Sequence, residues 1–185
     1  MREQEKMIES QVREIYGRVV YTHKTHEKCA DLLKDRSDCL KIIEILLSAL
    51  TTTSILVIIF GDGCLFQFLA ALFSTILLCL SLYSKDFNLL ALAEKHKQAA
   101  LDVLEIREEL LSLLVDIKIG NKPIEHFQTK RDELNARLVN TYRGAPKTIN
   151  KAYQIASKAL KENEEFTFSD EEIDKFLPES LRKIK

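Results

Sequence analysis

The feature that most constrains this chain is a long stretch that contains almost no charge. Residues 42–84 hold none of the 27 lysines and arginines and only two of the 28 acidic residues, Glu44 and Asp62. Two runs inside this stretch, 45–61 and 64–84, contain no charge at all. As α-helices they would extend about 25 and 31 Å, close to the roughly 30 Å of a bilayer's hydrocarbon core. The sequence therefore predicts two transmembrane helices rather than a buried helical hairpin in a soluble core.

The link between the two runs predicts their topology. Gly61-Asp62-Gly63 has room only for a tight reversal, so we expect a helical hairpin. The link carries no basic residue, whereas both flanks of the hairpin do: Lys34, Arg36, Lys41, Lys85, Lys95 and Lys97. The positive-inside rule then places both flanks and both termini in the cytoplasm.

The two flanks of the hairpin carry a heptad pattern. Mostly apolar side chains recur at alternating four- and three-residue spacing through residues 8–43 and again through 89–117. We therefore expect each span to continue into the cytoplasm as one long helix, and the two extensions to pair as an antiparallel stalk. The break at Gly120-Asn121-Lys122-Pro123 ends the second helix. The helices that follow are expected to pack back against the stalk.

The predicted fold is all-α and forms one domain: a two-transmembrane helical hairpin, a long cytoplasmic antiparallel stalk and C-terminal helices packed on it. Its segments are a cytoplasmic helix (1–41), a first span (42–60), a second span (64–84), a second cytoplasmic helix (85–119) and the C-terminal helices (124–185).

Three residues with reactive side chains occupy heptad positions in the stalk, namely His26, Cys29 and His96. The antiparallel helices leave the membrane near residues 42 and 84, so these side chains are expected at similar depth, with Cys29 level with His96. They would suit a metal or proton-sensing site. The alternative is a polar layer that fixes the register of the two helices, as buried polar residues do in coiled coils.

The predicted spans carry two faces with small or polar side chains. The candidate pore-lining face of the first span comprises Glu44, Ser48, Thr51 and Thr52. The candidate hairpin-packing face of the second span comprises Gln67, Ala71, Ser74 and Ser81. Small residues let transmembrane helices approach closely, which is why the second set is expected at the helix contact. Two helices cannot enclose a water path, so a pore would need several copies.

Sequence patterns of catalysis are missing. The five glycines form no phosphate-binding loop, and there is no H-E-x-x-H, no G-x-S-x-G and no paired-cysteine zinc spacing. The net charge is −1 and the basic residues form no block, so nucleic acid is not an expected partner. We expect no enzymatic activity and no cofactor.

The layout resembles the SLATT family, the SMODS- and SLOG-associating two-transmembrane effector domains. The resemblance lies in a charged N-terminal helix, two closely spaced spans (KIIEILLSALTTTSILVIIF, GDG, CLFQFLAALFSTILLCLSLY) and a helical tail, over about residues 5–165. It implies an effector of a bacterial anti-phage, abortive-infection system that permeabilises the inner membrane. It also implies a partner encoded nearby: a nucleotide synthase, a nucleotide sensor or a reverse transcriptase.

Two functions remain open at this point. In the first, copies of the chain form a homo-oligomer in the bilayer and permeabilise it on a signal. In the second, the hairpin is only an anchor, and the chain is a scaffold that docks a cytoplasmic partner protein without pore activity.

Overall fold

The computed structural model describes residues 3–60, 64–179 and 182–183, which form six α-helices and no strand. The helices are α1 (Glu3–Phe60), α2 (Cys64–Phe87), α3 (Leu89–Ile119), α4 (Ile124–Gly144), α5 (Asn150–Lys161) and α6 (Asp170–Phe176). The all-α prediction is confirmed. The predicted turn at Gly61-Asp62-Gly63 lies outside the described residues.

Helix α1 runs unbroken for 58 residues through both the charged N-terminal segment and the first apolar run. No proline occurs in it, and Gly17 is its one glycine, so nothing interrupts its backbone hydrogen bonds. Its apolar half packs beside α2, and its charged half packs beside α3. The first span and the first helix of the stalk are therefore one continuous helix, as the sequence predicts.

The second span does not continue unbroken into the stalk, so that expectation is wrong. Asn88 separates α2 from α3 with φ 21° and ψ 63°, in the left-handed region that asparagine tolerates better than most residues. Its side-chain Oδ1 accepts a hydrogen bond from the backbone N–H of Ala91 at 3.1 Å. Asn88 thereby ends one helix and caps the next, only three residues after Lys85.

The stalk, residues 3–41 of α1 with α3, is held by a continuous buried seam. The contacts between His23 and Arg107, and between Glu44 and Ser84 at the base of the hairpin, show that the two helices run antiparallel. Buried seam residues of α1 are Ile8, Val12, Ile15, Val19, His26, Cys29 and Leu33. Those of α3 are His96, Ala99, Val103, Ile106, Leu110, Leu113 and Ile117. All of them are positions that the heptad pattern predicts.

Helices α4 and α5 pack back on one side of the stalk. Helix α4 buries Phe127, Leu134 and Leu138 in the same apolar cluster as the distal half of the seam. Its Arg137 pairs with Glu105 and Glu109 of α3 rather than with Glu133, four residues earlier in the same helix. Desolvation raises the pKa of Glu109, but its hydrogen bonds to Arg137 and Lys130 outweigh this and lower the pKa overall.

Helix α5 lies against α1 through small side chains, since Ala152, Ala156 and Ala159 are its buried residues. Alanine lets the two helix backbones approach closely. The rings of Tyr153 and of Tyr21 in α1 have centroids 6.1 Å apart. Helix α5 therefore packs against the stalk as predicted, and its alanines form the buried contact.

Helix α6 is short and begins with a complete capping box, in which Ser169 accepts from the backbone N–H of Glu172 and Glu172 accepts from that of Ser169. Its apolar side chains do not pack back as the sequence suggested, because Phe176 is 83 % exposed and Ile173 is 42 % exposed. The helices that pack back on the stalk are therefore α4 and α5.

The packing of α4 on the stalk leads to a testable prediction. Leu134 is fully buried between α4 and the seam, so Leu134→Ala should lower the free energy of unfolding by about 3 kcal/mol. Val139 lies on the same helix but is 41 % exposed, and Val139→Ala should change it by less than about 0.5 kcal/mol. Unfolding in mild detergent, followed by helical circular dichroism, measures both. Equal losses in the two variants would contradict the observed α4 contact.

Candidate functional site

The candidate pore-lining residues of α1 fall into two pairs. Glu44 and Thr51 are half-buried on the side that faces α2, and the Glu44 carboxylate accepts a hydrogen bond from Ser84 Oγ at 2.9 Å. Ser48 and Thr52 are exposed on the flank of the hairpin. In a single chain, then, only Ser48 and Thr52 are available to line a path between copies.

The hydroxyl groups of this segment are bonded to their own helix. Ser48, Thr51, Thr52, Thr53 and Ser54 each donate to the carbonyl four residues earlier, at 2.8–2.9 Å. This satisfies each hydroxyl proton and leaves oxygen lone pairs free to accept. The segment can therefore lie in hydrocarbon and still offer acceptors to water or to another helix.

The candidate hairpin-packing face of α2 is not the one that contacts α1. Gln67, Ala71, Ser74 and Ser81 are all exposed. The half-buried side of α2 carries Leu69, Phe73, Leu77, Leu80 and Ser84 instead. Large apolar side chains of α2 thus meet a face of α1 that carries the buried Ser54, so the small-residue rule does not identify the α2 side of this contact. The four predicted residues remain available for contacts outside the single chain.

His26 and His96 meet in the middle of the stalk. Their Nδ1 atoms are 2.9 Å apart, and both side chains are buried. Two lone pairs cannot face each other at this distance, so one Nδ1 carries a proton and donates a hydrogen bond to the other. The sequence argument placed Cys29 level with His96, whereas the structure gives His96 the partner His26, about one helical turn away along α1.

Burial keeps this histidine pair uncharged. Desolvation, followed by the nearby His96 and His23, lowers the pKa of His26 from 6.5 to about 4. Desolvation also lowers the pKa of His96. At neutral pH the pair is therefore a neutral hydrogen-bonded layer between the apolar cluster and the membrane-proximal stalk.

Cys29 has a different partner from the two histidines. Its Sγ accepts a hydrogen bond from the backbone N–H of Ile149 at 3.4 Å, at the start of α5. Burial raises the pKa of its thiol, which keeps it protonated. Among the described residues no three His, Cys, Asp or Glu side chains are grouped to hold a metal ion. The geometry accordingly suits a structural polar layer.

A second polar cluster, which the sequence did not reveal, joins the stalk to the segment after α5. We call residues 162–169 the strap. The Lys24 ammonium lies 2.6 Å from Glu165 and 3.0 Å from Glu27, and its pKa is raised because these carboxylates outweigh the desolvation that lowers it. The Phe166 ring stacks on His23, with centroids 5.4 Å apart. No local pattern predicts this contact, because Phe166 reaches α1 from far along the chain.

The strap closes one end of an open groove between α1 and α3, with a cavity volume of about 870 Å³. Neither α4 nor α5 contributes to its walls, so the groove lies on the uncovered side of the stalk. Its apolar floor includes Leu90, Leu101 and Leu104. Its charged wall residues are Lys24, Lys28, Lys34, Lys97, Arg107, Glu27, Asp31 and Glu94.

The histidine layer predicts a pH dependence of stability. Because the pKa of His26 is about 4 in the folded chain and 6.5 ordinarily, the unfolded chain binds more protons between these values. The stabilisation is complete above pH 6.5 and is lost as the pH falls towards 4. The slope is about 1.4 kcal/mol per pH unit for each such histidine.

Unfolding in detergent at pH 7.5, 6 and 5 measures this dependence. The double variant His26→Leu/His96→Leu should reduce this dependence by the share of the two histidines, leaving the share of His23, whose pKa burial also lowers. His126 is exposed on α4, so His126→Leu is the matched control and should retain it. An unchanged pH dependence in the double variant would refute the role of the pair.

Comparison with known proteins places the whole arrangement in one family. No curated protein matches the chain, and no solved structure does. A family model, described as SMODS and SLOG-associating 2TM effector domain family 4, matches residues 8–172. That range includes both apolar helices, the stalk, the histidine layer and the strap. The chain therefore belongs to the SLATT family of two-transmembrane effector domains.

Proposed function

We propose that this protein is a membrane effector of a bacterial anti-phage system, which acts by assembling in the inner membrane and permeabilising it. The observation that carries the proposal is the exposure of the two apolar helices. Two helices are long and apolar enough to cross a bilayer, and their most apolar stretches are only 6 % and 0 % buried. Family membership supports the effector role.

The surface of the hairpin is suited to lipid rather than to water. Ile45, Leu65 and Phe68 are each about two-thirds exposed, and no other described helix covers them. An apolar surface of this size is unstable in water and marks a membrane or protein contact. Both helices also satisfy their backbone groups internally, which a bilayer requires.

We further propose that both ends of the chain lie in the cytoplasm. Lys41 and Lys85 stand where α1 and α2 leave the apolar stretch, and the rest of the charged chain follows on the same side. Glu44 lies next to this boundary with Ser84 as its partner. A carboxylate at that depth can reach the interfacial water, so the hairpin inserts without a buried charge.

In an assembly of several copies, the polar face of α1 could line a water path. Ser48 and Thr52 lie on the exposed flank, and in a ring of hairpins this flank can turn towards a shared water path. Their oxygens retain the capacity to accept hydrogen bonds from water or from another copy. The energetic gain of hydrating these groups favours the assembled form once copies are close.

The stalk offers a route from a cytoplasmic signal to the membrane. Because α1 is unbroken from Glu3 to Phe60, a shift in the stalk moves the first span with it. The second span is joined to α3 only through Asn88, so its response is less directly coupled. In this proposal the signal comes from a partner encoded nearby, such as a nucleotide synthase, nucleotide sensor or reverse transcriptase, and shifts the population towards the assembled state.

A substitution pair tests the permeabilising role. Ser48→Leu/Thr52→Leu replaces the exposed hydroxyls with apolar groups, and we expect at least a tenfold loss of dye-reported depolarisation in cells that express the chain at high level. Thr53 is also exposed and bonded to its own helix but lies about 100° further round α1 than Thr52, on the side away from Ser48, so Thr53→Leu is the control and should depolarise normally. Intact membrane potential with the unaltered chain, neighbouring genes and phage all present would contradict the proposal.

A hairpin exchange separates the effector from the scaffold alternative. Residues 42–84 are replaced by an unrelated apolar hairpin of the same length, with α3 to α6 unchanged. A scaffold needs only an anchor and should keep its protective effect against phage. An effector that acts through its spans should lose protection although the exchanged protein still sediments with membranes. Retained protection would therefore favour the scaffold.

A further inference from the structure

One turn of α1 is covered on all sides. Its four consecutive residues are at most 7 % exposed: His23, Lys24, Thr25 and His26. A helix that packs through one face leaves its other face in water, so four buried residues in a row require contacts around the whole helix. Helices α3 and α5 contact this part of α1, and the strap contacts the side that they leave open.

Two neighbouring side chains attach the strap to the stalk. The Glu165 carboxylate lies 2.6 Å from the Lys24 ammonium. The Phe166 ring stacks on His23, and the Lys24 ammonium and the Arg107 guanidinium each lie 4.7 Å from the centre of that ring. Because Arg107 belongs to α3, the strap joins both helices of the stalk at one end of the groove.

Few other contacts hold the segment that follows α5. Phe166 is only half-buried, Thr167 is exposed and Phe168 is 65 % exposed. Helix α6, which follows the strap, has few contacts with any other described helix. The strap is therefore held against the stalk mainly by one ion pair and one aromatic ring, and contacts of both kinds are individually weak where water can reach them.

The backbone of the strap is bent in an unfavourable conformation. Glu164 has φ 50°, in the left-handed region, which is disfavoured for a residue with a Cβ atom. The Glu165 N–H donates to the carbonyl of Ala159 at 3.2 Å, and the Thr167 N–H donates to that of Glu164 at 2.8 Å. Such a conformation persists only while the surrounding contacts hold it. Loss of the side-chain contacts with the stalk would therefore let the strap relax away from it.

We propose that the strap is a latch that opens and closes one end of the groove between α1 and α3. In the closed state Phe166 forms part of the groove wall and Glu165 covers Lys24. Opening removes an aromatic ring and a negative charge from this end and leaves Lys24 and Arg107 facing the groove. Because the closing contacts are weak, a ligand or partner that prefers one state can shift the balance between them. The competing interpretation is that the strap is a fixed connector between α5 and α6.

A spin label on the strap measures whether it is held or released. The protein is purified in mild detergent after its exposed cysteines are changed to serine, namely Cys39, Cys64 and Cys79. Cys29 is buried and is kept. The label is attached at Thr167→Cys, an exposed position in the strap. A closed latch restricts the motion of the label, whereas an open latch gives the narrow spectrum of a mobile one.

A charge exchange should open the latch and close it again. Lys24→Glu places like charges opposite each other and should raise the mobile fraction of the label at least threefold. The double variant Lys24→Glu/Glu165→Lys restores opposite charges and should reverse at least half of this rise. Phe166→Ala removes the ring without a change of charge and should also raise the mobile fraction. Lys34→Glu is the control, because Lys34 lies in the same groove wall but about 15 Å further along α1.

Circular dichroism of each variant establishes that its helices are retained. An immobile label in both Lys24→Glu and Phe166→Ala would overturn the latch. So would a mobile fraction that the double variant leaves as high as Lys24→Glu does.

Thiol labelling tests whether the latch controls access to the groove. In the same serine background, Leu104→Cys is half-buried one turn from Arg107, and Leu90→Cys lies towards the other end of the groove. Lys24→Glu should speed the reaction of an uncharged maleimide at Leu104→Cys at least fivefold and leave Leu90→Cys unchanged. An added negative charge by itself disfavours the reactive thiolate, so a faster reaction indicates better access. A mobile strap without faster labelling at Leu104→Cys would overturn the control of access.

The outcome is independent of permeabilisation, because both measurements are made in detergent. An opening latch in a chain that leaves the membrane potential intact would support this inference and count against the proposed effector activity. Depolarisation by a chain whose strap stays immobile in every variant would support the activity and overturn the latch.

Discussion

The fold depends on where the apolar surface of residues 42–84 is placed. Leucine, isoleucine and phenylalanine cover all sides of this hairpin, and the described helices bury almost none of it. Transfer of such side chains from water to hydrocarbon is favourable by roughly 1.5–3 kcal/mol each. Once the hairpin is in lipid, α1 and α3 leave the membrane side by side and antiparallel. The stalk is thus a geometric consequence of the hairpin.

The stalk combines three kinds of contact along its length. Its distal half is an apolar cluster shared with α4, its middle contains the neutral His26–His96 pair, and its membrane-proximal half buries alanines of α3 with Cys29 and Leu33 of α1. A buried polar layer of this kind contributes less stability than an apolar one but restricts the register of the helices. Because α1 is continuous, that register also fixes the height of the first span relative to α3.

Sequence patterns predicted the parts of the molecule that are governed by local periodicity. The heptad positions from Ile8 to Leu33, except Thr22, and from His96 to Ile117 are buried as expected, and Gly120 ends α3 with φ 70°. The break at Asn88 was missed because neither glycine nor proline marks it. The α2 contact face was missed because a helix in lipid is apolar on all sides, so periodicity does not identify its neighbour. The strap was missed because Phe166 reaches His23 through tertiary packing alone.

The most direct measurement of the central claim is membrane partition. Cells that express the full chain are broken, and the membranes are washed at alkaline pH, which releases peripheral proteins, and then sedimented. The account predicts that the chain stays in the pellet until detergent is added, because the two uncharged runs 45–61 and 64–84 are held in hydrocarbon. Recovery of folded protein in the supernatant without detergent would contradict the account, since the hairpin would then be covered by protein rather than lipid.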